Sequence, residues 1–242
     1  MCPGNIKLQS LTPFRPPWWC RNAHLQTVWG PLFRRVKLPL RREHVTTRDG
    51  DFVDLDWWDA PPDRPLLLVL HGLEGSTASH YVRGLIREAA GRGWRAVGLN
   101  FRSCSGELNR LPRLYHSGDT GDLDEVVRRI RAREPGVVIG AVGVSLGGNV
   151  LLKWLGERGA EAPVAAAVGI SVPFDLDRCA RTLDRGVRRA TYTRNFLRSM
   201  RRKVRLKART HPGFVDVPRA MRARTFAEYD RVVTAPLGGF AD

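Results

Sequence analysis

An α/β architecture, a mostly parallel sheet with helices on both faces, is what this 242-residue sequence predicts. Three observations carry it. Apolar strand-like runs alternate with stretches of helical periodicity from residue 44 to residue 172, the spacing of βαβ units. The first two strands are joined by Asp49-Gly50, a strong hairpin signal. Near the middle of the chain, a glycine-flanked serine separates an apolar strand from an apolar helix.

The elements follow in order. Residues 1–43 are rich in Pro and Trp and lack periodicity, so they read as an extended arm lying on a body, with His24 and Gln26 pinning the arm. His44–Arg48 and Phe52–Trp58 form the opening hairpin. Leu66–Leu70 is a solid apolar run, the pattern of a strand buried on both faces. Tyr81–Arg92 carries Val82, Leu85, Ile86 and Ala89 on one helical side. Trp94–Leu99 is a strand, Leu123–Ile130 a helix, Val137–Val144 a strand, Leu146–Gly156 a helix and Val164–Val172 a further strand. The core is thus 44–174. From Asp175 the strand pattern stops. Residues 175–242 read as an arginine-rich helical cap followed by the start of a C-terminal core whose last strands are missing.

Composition bounds the function. Apolar residues make up 43% and charged residues 26%, which argues against wholesale disorder. Cys2, Cys20, Cys104 and Cys179 have neither zinc-clip nor Cys-x-x-Cys spacing and read as reduced, in a cytoplasmic protein. No apolar run approaches the ~20 residues of a membrane helix, and the Pro-rich start is no secretory signal. The net charge is +16. Thirteen basic residues and one acid, Asp184, lie between Arg178 and Arg209. We read them as a solvated helical face; a nucleic-acid or anionic-membrane surface is the sharper alternative. No RNP, KH, helix-turn-helix or zinc-finger signature accompanies the charge, so no specific nucleic-acid partner is expected. Nucleotide, dinucleotide and zinc-protease motifs are absent too. No cofactor or metal is expected.

Gly143-Val144-Ser145-Leu146-Gly147 is a Gly-x-Ser-x-Gly pentapeptide in a strand–turn–helix context, which a nucleophile elbow requires. The turn lifts the serine hydroxyl above the sheet, and the helix N-terminus aims amides at developing negative charge. His71-Gly72-Leu73-Glu74-Gly75 follows the central strand, where hydrolases of this class place an oxyanion donor. Ser145 is therefore the expected nucleophile, and the backbone N–H groups of Leu73 and Leu146 the expected oxyanion hole. His71 suits a loop brace better than a base. His116 orders the loop after the fourth strand, and His80 and His44 show no partner pattern. Asp119 and Asp122 read as acids at a helix N-terminus, and Cys104 as a packed or semi-exposed thiol.

Several longer stretches make the sequence similar to the YheT-like branch of the α/β-hydrolases, the AB-hydrolase-4 esterases. They are Asn22 to Thr27, His71 to Ser76, Asn100 to Glu107 continuing through Asn109 to Gly118, the elbow, and Thr234-Ala235-Pro236-Leu237. The family usually carries Gly where Ser103 stands. The resemblance implies an α/β-hydrolase fold and ester hydrolysis of the short-chain carboxylesterase or monoacylglycerol lipase kind, without cofactor. It also implies a relay Asp after a later strand and a relay His near the C-terminus. Neither motif is in this chain: after Ser145 the only histidine is His211, inside the cap. The chain is expected to be a C-terminally truncated serine esterase, close to inert as it stands because its serine lacks a base. A relay-less binder of lipid or of an anionic membrane surface is the alternative.

Overall fold

The computed structural model describes residues 13–240; Cys2, Pro3 and Asp242 lie outside the described residues. The chain divides into two units, Met1–Arg35 and Val36–Asp242. β1 already begins at Arg41, inside the stretch read from sequence as arm.

The first unit corrects the expectation of an extended arm. Its described residues form a 3-10 turn, Trp18–Cys20, and a helix, α1 (Ala23–Phe33). Asn22 starts the helix: its side-chain oxygen accepts from the amides of His24 (2.9 Å) and Leu25 (3.2 Å), which satisfies two donors a helix start leaves unpaired. Gln26 bonds back to the Arg21 carbonyl. Trp29 packs between Trp19 and Phe33, with ring centroids 4.5 and 4.4 Å away. A helix so rich in apolar residues, with Gly30 and Pro31 inside it, shows no polar face from which a period is read.

The second unit holds a six-stranded sheet in the order β1-β2-β4-β3-β5-β6. The strands are β1 (Arg41–Thr46), β2 (Phe52–Trp58), β3 (Leu66–Leu70), β4 (Arg95–Asn100), β5 (Ile139–Val144) and β6 (Ala166–Ile170). β1–β2 and β2–β4 pair antiparallel; β3–β4, β3–β5 and β5–β6 pair parallel. The three intervening helices are α2 (His80–Gly91), α3 (Gly121–Arg133) and α4 (Leu146–Arg158).

The apolar run of β3 is explained by its two faces. Leu66, Leu68 and Leu70 enter a core with Leu123, Val126 and Val127 of α3 and Val150, Leu151 and Trp154 of α4. The alternate residue Val69 enters a second core with Val82, Ile86 and Ala89 of α2. Alternation along the strand thus needs apolar side chains at every position. β6 stands at the sheet edge, and all five of its residues are exposed.

Polar pairs fix the loops that rise from the sheet. Arg102 is buried against Asp49, Asp51 and Asp122, at 2.8, 2.9 and 2.7 Å. Burial works against the Asp49 carboxylate, but bonds from Arg102 and Thr47 hold it down at about 2. Asp122 is therefore more than a helix-terminal acid; burial raises its pKa against the pull of Arg102. Asp119 accepts from Arg113. His44, expected without a partner, sits 3.0 Å from Asp54 and stacks on Phe52. Cross-strand pairing of residues ten apart in sequence brings them together. Ser103 takes φ +62°, the left-handed turn that suits glycine. Its hydroxyl bonds Asn109 at 2.5 Å, which stabilises the turn from the side-chain end.

Beyond β6 the chain is helical: α5 (Leu176–Leu183), α6 (Gly186–Arg188), α7 (Arg194–Thr210), α8 (Val217–Arg222), α9 (Phe226–Tyr229) and α10 (Ala235–Gly238). α6 and α7 are joined by a π-helical turn, as are α9 and α10. Leu197, Met200, Val204, Phe226, Tyr229 and Val233 give these helices an apolar core of their own. Leu73 and Leu114, from the loops above the sheet, pack against it. No helix among the described residues is long and apolar enough to cross a membrane.

Candidate active site

Ser145 joins β5 to α4 at φ +52°, ψ −119°. A side chain is held in that sparsely populated conformation only when its surroundings over-determine it. Here they do. The Ser145 amide donates to the Ile170 carbonyl at 2.8 Å, and its carbonyl accepts from Gly148 (2.9 Å) and Asn149 (3.1 Å). The glycines are demanded by distance. A Cβ on Gly143 would lie 2.4 Å from the Gly147 carbonyl oxygen. One on Gly147 would lie 2.5 Å from the His71 oxygen and 2.7 Å from the Leu70 oxygen. The serine is half-buried, and no described residue hydrogen-bonds its hydroxyl.

The loop after β3 lies against it. A Cβ on Gly72 would meet the Ser145 Cβ at 3.2 Å. Within this loop the amide of Gly72 donates to the Tyr81 hydroxyl (2.9 Å), that of Glu74 to the Tyr115 hydroxyl (2.7 Å), and that of Gly75 to the Gly72 carbonyl (3.0 Å). The Leu73 amide has no such partner among the described residues, and neither does the Leu146 amide at the start of α4. Neither amide is spent on another hydrogen bond among the described residues. Donors already in place and unpaired can receive a hydrogen bond acceptor without reorganisation.

His71 serves as the loop brace. Its ring is buried, with Nδ1 2.7 Å from the Gly72 carbonyl and Nε2 accepting from the Phe101 amide at 3.1 Å. Those partners require the proton on Nδ1. Burial lowers its pKa to about 4, so the ring is neutral. His116 accepts from the Gly118 amide at Nδ1, and His211 lies 2.9 Å from the Thr210 hydroxyl. Each is committed to its own loop.

One feature escaped sequence reasoning. Glu74, at φ +54°, points its carboxylate into a buried cluster. Tyr115 donates to it at 3.1 Å, Lys203 Nζ at 2.7 Å, and the Ser199 hydroxyl joins them. Lys203 also reaches the Cys104 sulfur at 3.1 Å. Burial opposes the Lys203 charge, but Cys104 and Glu74 outweigh it and raise its pKa. Burial pushes the Cys104 thiol up, so the packed-thiol reading fits its surroundings. Tyr115 stacks on Phe101 with centroids 5.2 Å apart. Two residues of α7, some 125 positions away in sequence, therefore grip the residue next to Leu73. The only sequence signal was a carboxylate in an otherwise apolar, glycine-rich loop. The cavity beside Leu73, between Leu114, Met200, Tyr229 and Val233, measures about 30 Å³, room for a water or two and none for an acyl chain.

The comparisons with known proteins agree with this fold. The sequence model of the alpha/beta hydrolase fold matches residues 65–237. YheT of Escherichia coli (strain K12), which carries an esterase name, is 39% identical over 242 residues, covering 98% of this chain and 71% of that protein. Phospholipase ABHD3 of Mus musculus is 30% identical over 237 residues, covering 94% of this chain and 57% of that protein. Among solved structures, an esterase of Pyrococcus furiosus shares the fold at a TM-score of 0.52 and 24% identity, over 61% of this chain and 56% of that one. By the extent of the family match and the likeness to YheT, the chain belongs to the YheT-like branch of the α/β-hydrolase family.

Proposed function

We propose that Ser145 is the nucleophile of a serine carboxylic-ester hydrolase working through an acyl-enzyme. The observation that carries this reading is the strained serine at φ +52° beside two amides, Leu73 and Leu146, that nothing else uses. The hydroxyl attacks the ester carbonyl, the carbonyl oxygen becomes an oxyanion held by the two amides, and the alcohol leaves. Water then attacks the acyl-serine, releasing the acid. The esterase and phospholipase names of the relatives support small or lipid-like esters as substrates. The narrow cavity beside Leu73 supports a cap that must swing aside before an acyl chain enters. We take the cytoplasm as the compartment.

The reaction also needs a base on Ser145. His44, His71, His116 and His211 are bound to Asp54, to Gly72 and Phe101, to Gly118 and to Thr210. No described histidine hydrogen-bonds the Ser145 hydroxyl, so we expect the 242-residue chain to turn over p-nitrophenyl acetate slowly or not at all, and added imidazole to restore hydrolysis by standing in for the base. The rescued rate should exceed that of Ser145→Ala under the same imidazole. Equal rates in the two proteins would remove Ser145 from the mechanism. Brisk hydrolysis without imidazole, abolished in Ser145→Ala, would keep the nucleophile and refute the missing base.

A further inference from the structure

Seven arginines of the cap converge on two neighbouring cavities, and none of them forms an ion pair with a described residue. The larger cavity, about 650 Å³, is lined by Arg201, Arg219, Arg222, Arg224 and Arg231. The second, about 410 Å³, is lined by Arg189 and Arg194 together with the same Arg201 and Arg224. The basic run between 178 and 209 does not by itself make this site. Arg201 comes from α7, Arg219 and Arg222 from α8, Arg224 from the following loop, and Arg231 from the π-helical turn before α10. Folding brings together charges that a solvated helical face would keep apart.

Two details separate this cleft from a merely basic surface. Its one lining acid, Glu228, is turned to the Arg224 backbone amide, so it neutralises none of the guanidinium groups by direct pairing. Arg201 is anchored: its Nη2 donates to the Ala223 carbonyl at the end of α8, while its Nε is buried with no partner. A buried N–H without an acceptor is unfavourable until something supplies one. A guanidinium fixed in place by a backbone bond, among like charges that no carboxylate pairs, selects an anion with several acceptor oxygens. Phosphate matches that fork geometry.

We propose that this cleft is a binding site for a phosphate group, as a soluble phosphoester or as a phospholipid headgroup. The site stands on geometry apart from Ser145 and does not depend on the hydrolase reading.

The test uses the full 242-residue chain at low ionic strength. Inorganic phosphate and glycerol 1-phosphate are titrated by calorimetry, and phosphatidylcholine vesicles with and without phosphatidylglycerol are co-sedimented. Saturable binding is expected in at least one arm. Binding of the soluble phosphates assigns the site to free phosphoesters; binding only to the phosphatidylglycerol vesicles assigns it to a lipid headgroup. Arg201→Gln and Arg224→Gln should each weaken binding about tenfold, the loss of one charge-assisted hydrogen bond. Arg178→Gln, an exposed cap arginine outside both cavities, should change it less than about twofold, as screening of exposed charges requires. If Arg201→Gln does not fold, the exposed Arg224→Gln carries the comparison. Ser145→Ala should bind like the parent, so failure of the esterase proposal leaves this result intact. No binding in either arm, or an equal loss in Arg178→Gln, overturns the proposal.

Discussion

Gly147→Ala should unfold this protein at a markedly lower temperature, and the structure says why. The added Cβ would stand 2.5 Å from the His71 carbonyl oxygen and 2.7 Å from that of Leu70. Both obstacles are backbone, in β3 and at the start of the loop that follows it, so no side chain can rotate away. The strand or the α4 helix must move by roughly half an ångström or more, and overpacking of that kind costs about 3 kcal/mol. For a unit of this size each kcal/mol shifts Tm by about 2–4 °C, which gives a fall of about 6–12 °C. Gly148→Ala is the graded control: its Cβ would meet the Val172 Cγ2 at 2.5 Å, the far end of a side chain, so the loss should be smaller. Gly156→Ala, also in α4, meets nothing within 4 Å and should gain about 0.5–1 kcal/mol from helix propensity. Differential scanning calorimetry of the three variants gives the order. A Gly147→Ala protein melting within about 2 °C of the parent would refute the claim that this glycine is demanded by backbone packing, given the ~6 °C minimum from the clash.

Other outcomes follow from the same geometry. Ser145→Gly should raise stability by about 1 kcal/mol, since glycine adopts the positive φ without strain, while ending any imidazole-rescued esterase activity; a destabilised Gly variant would contradict the strain. Lys203→Met should cost about 3 kcal/mol because it leaves Glu74 buried and short of a charge. Adding Glu74→Gln should return part of that loss in urea unfolding, and strict additivity would show the pair to be uncoupled. His71 is neutral when folded, with a pKa near 4 against about 6.5 when unfolded. The unfolded chain therefore takes up its proton first as pH falls. Its contribution is complete above pH 6.5 and declines by about 3 kcal/mol between pH 6.5 and 4. His71→Asn should flatten the urea-unfolding free energy over that window, and an unchanged slope would rule His71 out as its source.

What the sequence determined by itself was whatever depends on short range. Strand and helix order from His44 to Val172 follows from apolar periodicity and one Asp-Gly turn, because burial on one or two faces leaves a repeat in the chain. The elbow was legible for the same reason: strand, turn, serine and helix are contiguous, and the flanking glycines are local. Leu73 could be nominated because its loop directly follows β3. The α1 helix was hidden because its apolar residues leave no polar face to betray a period. Tertiary structure alone decided the rest. Glu74 is held by Ser199 and Lys203, and Arg201 meets Arg219, Arg224 and Arg231; no sequence period links positions that only the folding of the cap brings within reach. Buried charge selects its partners by distance in space, and distance in space is the quantity a sequence does not write down.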